Sequence, residues 1–190
     1  MMRTILILVF VCECISGYAQ KKPLTYRSQN FVGLLEGDNH KGAFQLQTIH
    51  GVQLHHWFAG LGAGLDYYLQ RSVPLFFAVN RDVQFKNRTF FIGGDLGTNL
   101  PWVKDEISGW WSQSTNLSYH EGLYWGGHLG YKAYFKNQRD AIVLSLGYSY
   151  KHLKADQVVT TFCQQPPCLV NTERFDYRLN RVSMKIGWQF

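Results

Sequence analysis

Three groups of side chains in this sequence could do chemistry. His128, Ser145 and Asp95 form the first. A histidine can take the proton of a serine hydroxyl while a carboxylate orients the imidazole, and such a trio hydrolyses acyl esters when its members meet. The second is the adjacent pair His55 and His56. Imidazoles bind metals, but neighbours in an extended chain point opposite ways, and no further His or Cys cluster completes a ligand set. No metal or other cofactor is expected. The third is Cys163 and Cys168, which enclose the stretch QQPP. They lack the CxxC spacing of a redox or metal pair, so in an oxidising compartment they are expected to close a small disulfide loop.

Whether the first group meets depends on the elements that carry it. Glycine and aromatics are plentiful, proline is sparse, and no segment keeps a helical period. Two-residue alternation recurs instead. It marks eight candidate strands: Ser28–Gly37, Ala43–Leu54, Phe58–Leu69, Val73–Arg81, Thr89–Asn99, Leu123–Phe135, Ala141–Ala155 and Glu173–Phe190. From Leu123 to Phe135, one face carries Leu123, Trp125, Leu129, Tyr131, Ala133 and Phe135. The other carries Tyr124, Gly126, His128, Gly130, Lys132 and Tyr134. The third, fifth, sixth and seventh candidates divide clearly into a greasy face and a small or polar one. The first and fourth are ambiguous about which face is which. The last changes phase near Asn180, which predicts a bulge there.

The connections after the second, fourth and sixth candidates are short, whereas those after the fifth and seventh are long. The long ones therefore share one end of an up-and-down barrel, and the short turns share the other with both termini. Two features predict which face is outside. Gly60, Gly62, Gly64, Gly93, Gly97, Gly126, Gly130 and Gly147 all fall on the polar face, where a narrow eight-stranded interior needs small residues. Asp66, Asp95, His128, Lys132, Lys151 and Lys185 share that face, with Arg181 a further candidate. In a lumen these groups can pair and hydrogen-bond. Roughly five apolar residues per strand on the other face would cost about 1.5–3 kcal/mol each in water, so that face must meet hydrocarbon or turn inward. The glycines argue against inward. The expected fold is all-β: an eight-stranded antiparallel up-and-down transmembrane β-barrel. Tyr67, Tyr148, Tyr150, Trp188 and Phe190 fall near strand ends, as interfacial girdles require.

The first residues, MMRTILILVFVCECISGYAQ, show Arg3, a short apolar run and small residues before Ala19. They predict a cleaved secretory signal peptide over residues 1–19 and a barrel domain over 20–190. The formal net charge is +6, but export and the absence of a basic cluster argue against nucleic acid as a partner. The stretch WVKDEISGWWSQSTNLSYHE, residues 102 to 121, carries Trp102, Trp110 and Trp111 among hydrogen-bonding side chains. It is the candidate external surface for a glycan or protein ligand.

By pattern over the whole mature chain, the sequence resembles the small eight-stranded outer-membrane barrels of Gram-negative bacteria, the OmpX/OmpA-like group. Its most specific motif is the terminal IGWQF. The resemblance implies that Ile186, Gly187, Trp188 and Phe190 act as the carboxyl-terminal assembly signal read by the barrel-assembly machinery. It implies a cell outer membrane location, in contact with membrane lipids and lipopolysaccharide. Some such barrels modify lipids, but the His-x-Ser pair of lipid A deacylases is missing, since Leu129-Gly130 follows His128. The expectation is a monomer with a structural or surface-interaction role and no enzymatic activity. An outer-membrane acyl hydrolase or acyltransferase is the second reading, and a secreted, soluble, lipocalin-like binding barrel the third.

Overall fold

A computed structural model describes residues 24–37, 42–102, 106–110, 113–137, 139–161 and 170–190. Residues 1–19, Cys163, Cys168 and Trp111 lie outside the described residues. In chain order the strands are β1 (Thr25–Gly37), β2 (Ala43–Leu54), β3 (Trp57–Asp66), β4 (Ser72–Phe85), β5 (Arg88–Pro101), β6 (Glu106–Trp110), β7 (Gln113–His120), β8 (Gly122–Tyr134), β9 (Ala141–Thr161) and β10 (Val170–Gln189). Each pairs antiparallel with its neighbours in the order β1-β2-β3-β4-β5-β8-β9-β10, and β10 returns to β1. Eight strands thus close on themselves, which removes the sheet edges that would otherwise leave backbone groups unpaired in hydrocarbon.

The terminal alternation has a specific destination. Phe190 exchanges both backbone hydrogen bonds with Ser28, at 2.9 and 3.0 Å, and so fastens the last residue to the first strand. Following partners around the barrel from Thr25 through Gln53, Phe58, Asn80, Gly93, His128, Gly147 and Ser183 arrives at Leu35, ten residues further along β1. That stagger tilts the strands by roughly 35–45° and sets a bore just wide enough for side chains.

Along the eight barrel strands, inward and outward positions alternate. Leu61, Ile92, Leu96, Leu129, Val182, Met184 and Ile186 point out and are more than half exposed. Asp66, Asp95, His128, Lys132, Lys151 and Lys185 point in and are buried. A soluble barrel would have these two sets exchanged. The clear candidates have the expected orientation, and the structure explains the two ambiguous ones. β1 and β4 are apolar on both faces, because Phe31, Leu35, Phe76 and Ala78 enter the bore while Val32, Leu34, Leu75 and Phe77 face outward.

Two expectations need correction. β9 and β10 pair without interruption from Val170↔Thr160 to Gln189↔Ala141, so there is no bulge at Asn180. The phase change was illusory: Leu179 belongs to the inward series and packs in the bore with Leu35 and Tyr68. The bore is also less polar than expected. Phe31, Phe58, Phe76, Phe91 and Tyr124 form an aromatic cluster inside it. The lumen glycines make room for these rings. A Cβ at Gly62 would overlap Phe76, one at Gly130 would overlap Phe91, and one at Gly187 would overlap Phe31. Each ring lies where a neighbouring strand has no side chain.

Candidate functional site: the bore and the projecting sheet

The inward charges sort into pairs by position along the bore. Near the end with long connections, Asp66 binds the guanidinium of Arg181, and Lys151 Nζ stands 3.6 Å from its other oxygen. Asp66 also accepts the backbone N–H of Tyr68 at 2.8 Å, while Lys151 donates to the carbonyls of Tyr68 and Gln70 at 3.1 and 3.0 Å. The start of the β3–β4 connection is therefore held by lumen charges, with the Arg181 guanidinium 5.6 Å from the Tyr68 ring centre. At mid-bore, Lys185 donates to Gln47 Oε1 at 3.0 Å, and Gln47 donates onward to the Tyr124 hydroxyl at 3.0 Å. Towards the turn end, Lys132 pairs with Asp82 at 2.7 Å. Asp82 is a site residue that the sequence reading placed in a turn. β4 continues past it to Phe85, and alternation from Asn80 would have put it inside.

The three residues that could hydrolyse an ester do not assemble into a catalytic triad. His128 Nδ1 lies 3.6 Å from Asp95 Oδ2, so the imidazole and the carboxylate do meet. The other ring nitrogen lies 2.9 Å from Asn80 Oδ1, the position a nucleophile would need. Ser145 is buried on β9 without a hydrogen bond to His128, so the pair sits in the bore as part of its polar packing. His55 and His56 form the tight β2–β3 turn, with His55 at φ 56°. Among the described residues no group of three metal-ligating side chains occurs.

Above the barrel the sheet continues. β9 has 21 residues and β10 has 20, whereas a membrane strand needs about 9–11. Their upper halves stay paired, and the β6–β7 hairpin adds to β9 from Gln113↔Thr161 to His120↔Lys154. The result is a four-stranded sheet, β10-β9-β7-β6, standing on the rim. One face carries a ladder of alternating charge. His152 meets Asp176 at 2.8 Å, His120 meets Asp156 at 3.0 Å, and Arg174 stands 3.6 Å from Asp156. Such exposed pairs add little stability, so the ladder is chiefly a pattern presented to solvent. The Asp176 carboxyl is held below the ordinary carboxylate range, mainly by its hydrogen bond with His152.

Of the three tryptophans in the long connection, Trp102 is half exposed at the rim. Its backbone N–H donates to the Arg71 carbonyl at 2.9 Å, Arg71 Nε donates to the Trp102 carbonyl at 3.0 Å, and the guanidinium lies 4.6 Å from the ring centre. Trp102 thus clasps the β3–β4 connection. Trp110 ends β6 in the projecting sheet. Of the terminal motif, Ile186 and Trp188 face outward, while Gly187 faces inward under Phe31. Aromatics gather at both ends of the apolar band. Trp188 stacks on Phe135 with centroids 5.2 Å apart, and at the other end Trp125 stacks on Tyr150 at 5.9 Å while Phe44 meets Tyr67 at 6.4 Å.

No protein-family model matches the chain, and no curated protein matches it. Among solved structures it is similar to Neisserial surface protein A, with a TM-score of 0.51 and 10% identity, covering 88% of this chain and 98% of that one. It is also similar to the outer membrane protein OprG from Pseudomonas aeruginosa, with a TM-score of 0.45 and 14% identity, covering 86% and 93%. The first likeness is one of fold, and it agrees with what the faces require by themselves. An oily exterior, aromatic girdles at both ends, a charge-paired bore and short turns opposite long connections make this chain a transmembrane β-barrel, the architecture that outer membranes hold.

Proposed function

We propose that this chain is an integral outer-membrane protein, similar to the OmpX/OmpA-like barrels, that serves as a non-catalytic anchor for a binding surface outside the cell. The observation that carries the reading is the projecting sheet. Roughly half of β9 and β10 lies beyond what a bilayer needs, and the β6–β7 hairpin joins it. A sheet held out by continuous strand pairing presents its side chains in fixed register, which suits recognition better than a free loop does. The partner would be an extracellular glycan or protein, met by the alternating histidines, aspartates and arginines of that face and by Trp110. The turns face the periplasm. Lipopolysaccharide and the other membrane lipids would contact the apolar band, and Ile186, Gly187, Trp188 and Phe190 would serve the assembly machinery during insertion.

The test compares the refolded barrel with a variant lacking residues 103–120, both in lipid vesicles, on a glycan array and against immobilised extracellular proteins. Binding that needs the hairpin supports the reading, and equal binding by both forms would refute it. Acyl release from lipopolysaccharide, measured beside a His128→Ala variant, addresses the lipid-modifying alternative. Release that depends on His128 would replace an anchor with an enzyme.

A further inference from the structure

The apolar exterior has a polar interruption on β1 and β2. Tyr26, Asn30, Thr48 and His50 all lie on its outward face. They form one connected chain. The Tyr26 hydroxyl lies 2.7 Å from His50 Nδ1, with the two rings stacked at 6.3 Å. Thr48 Oγ1 lies 3.1 Å from His50 Nε2 and donates to Asn30 Oδ1 at 2.8 Å.

The strand ladders give its depth. Thr48 pairs with Ala63, and His50 with Leu61. Those are the middle positions of the outward series Trp57, Ala59, Leu61, Ala63, Leu65 and Tyr67, which runs from one girdle to the other. The polar chain therefore reaches the middle of the hydrocarbon.

Polar groups at that depth are costly unless every one is hydrogen-bonded. The hydroxyls and the imidazole satisfy each other. The Asn30 side-chain nitrogen donates to no partner among the described residues, although Asn30 is exposed to the acyl chains. Beside it runs a crevice of about 450 Å³, lined by Val32, Leu46, Thr48, Ala63 and Leu65. Small alanines on β3 let another surface come close there.

We propose that this face is the contact between two copies of the chain in the membrane, joined about a two-fold axis along the bilayer normal with the Asn30 carboxamides hydrogen-bonded to each other. An acyl tail offers no acceptor for the free amide. A carboxamide is its own complement, with one donor and one acceptor side. A two-fold axis brings the same residue of both copies to the same depth. The proposal departs from the monomer expected from the sequence and is independent of the projecting sheet.

The experiment uses the refolded chain with all four cysteines, Cys12, Cys14, Cys163 and Cys168, changed to serine, reconstituted in phosphatidylcholine vesicles. Single cysteines are introduced as Asn30→Cys, Thr48→Cys or, on β8 away from β1–β2, Leu129→Cys. Oxidation should link Asn30→Cys and Thr48→Cys chains into dimers at several times the yield of Leu129→Cys. Asn30→Leu, in the chain with no added cysteine, should weaken association by about five- to thirty-fold, while heat-modifiable gel migration confirms an intact barrel. Equal cross-linking at the three positions, a single-copy mass at all protein-to-lipid ratios, or a dimer indifferent to Asn30→Leu would overturn the proposal. Retention of a lipid by a strictly monomeric barrel would overturn it in favour of a lipid site.

Discussion

Asp66→Asn isolates the charge that holds the outer end of the bore. Asparagine keeps the acceptor for the Tyr68 N–H at 2.8 Å and nearly the same volume, so the change removes little besides the negative charge. What remains is Arg181 and Lys151, both fully buried and both facing a neutral amide. At 3.6 Å and an effective dielectric near 20, the Lys151–Asp66 attraction alone is about 4–5 kcal/mol before desolvation is subtracted. Breaking a buried pair by removing one partner typically costs about 3–5 kcal/mol, because the surviving charge is left uncompensated. The expected loss is in that range. The assay is urea unfolding of the refolded barrel in lipid vesicles, followed by tryptophan fluorescence. Adding Arg181→Met to Asp66→Asn should restore much of the loss, since it leaves one cation in place of two. A loss under about 1 kcal/mol, or a double variant as unstable as the sum of the singles, would refute a dry, charge-paired bore.

Three further outcomes follow from the packing. Gly62→Ala should destabilise by about 1–3 kcal/mol despite alanine's better strand propensity, and Phe76→Leu in the same chain should relieve most of it, measured by the same unfolding assay. Leu129→Arg, at mid-height on the outer face, should cost about 2–4 kcal/mol in vesicles, whereas Tyr67→Arg at the girdle should cost at most about 1 kcal/mol. The projecting sheet should loosen as pH falls through the carboxylate range. The Asp176 carboxyl is held below its ordinary value, so its contribution is present above the unfolded pKa and is lost as pH falls through the folded one. Hydrogen exchange of β9 and β10 amides between about pH 5 and pH 2.5 would show it, and His152→Gln should reduce the change.

Alternation made most of the barrel legible. β3, β5, β8 and β9 write their orientation into single strands, because one face is mostly greasy and the other is rich in glycine, hydroxyls and charge, with only scattered rings and aliphatics among them. β1 and β4 do not, and the reason lies elsewhere in the chain. Phe31 can enter the bore only because Gly187 on β10 leaves room, and Phe76 only because of Gly62 on β3. No window along one strand contains that pairing. Leu179 misled in the same way: an apolar residue in the inward series looks like a slipped phase until Leu35 and Tyr68 are seen against it. Asp82 was lost to the ordinary rule that charges near short connections belong to turns, because its partner Lys132 is two strands away. The lengths of β9 and β10 were hidden for another reason. Beyond the bilayer no apolar face is required, so the pattern fades while the hydrogen-bonded ladder goes on.

That contrast also bears on where function can reside. Inside the band, each position answers to hydrocarbon on one side and to a crowded bore on the other, so most residues are explained by those two demands. Positions that neither demand explains are the informative ones. The sheet above the rim keeps its strand pairing although no membrane requires it, and the Tyr26–His50–Thr48–Asn30 chain keeps polar groups where the membrane opposes them. The first is permitted and the second is resisted. A polar carboxamide at mid-depth lowers the stability of the isolated barrel unless something meets it, so it has the stronger physical claim to a partner.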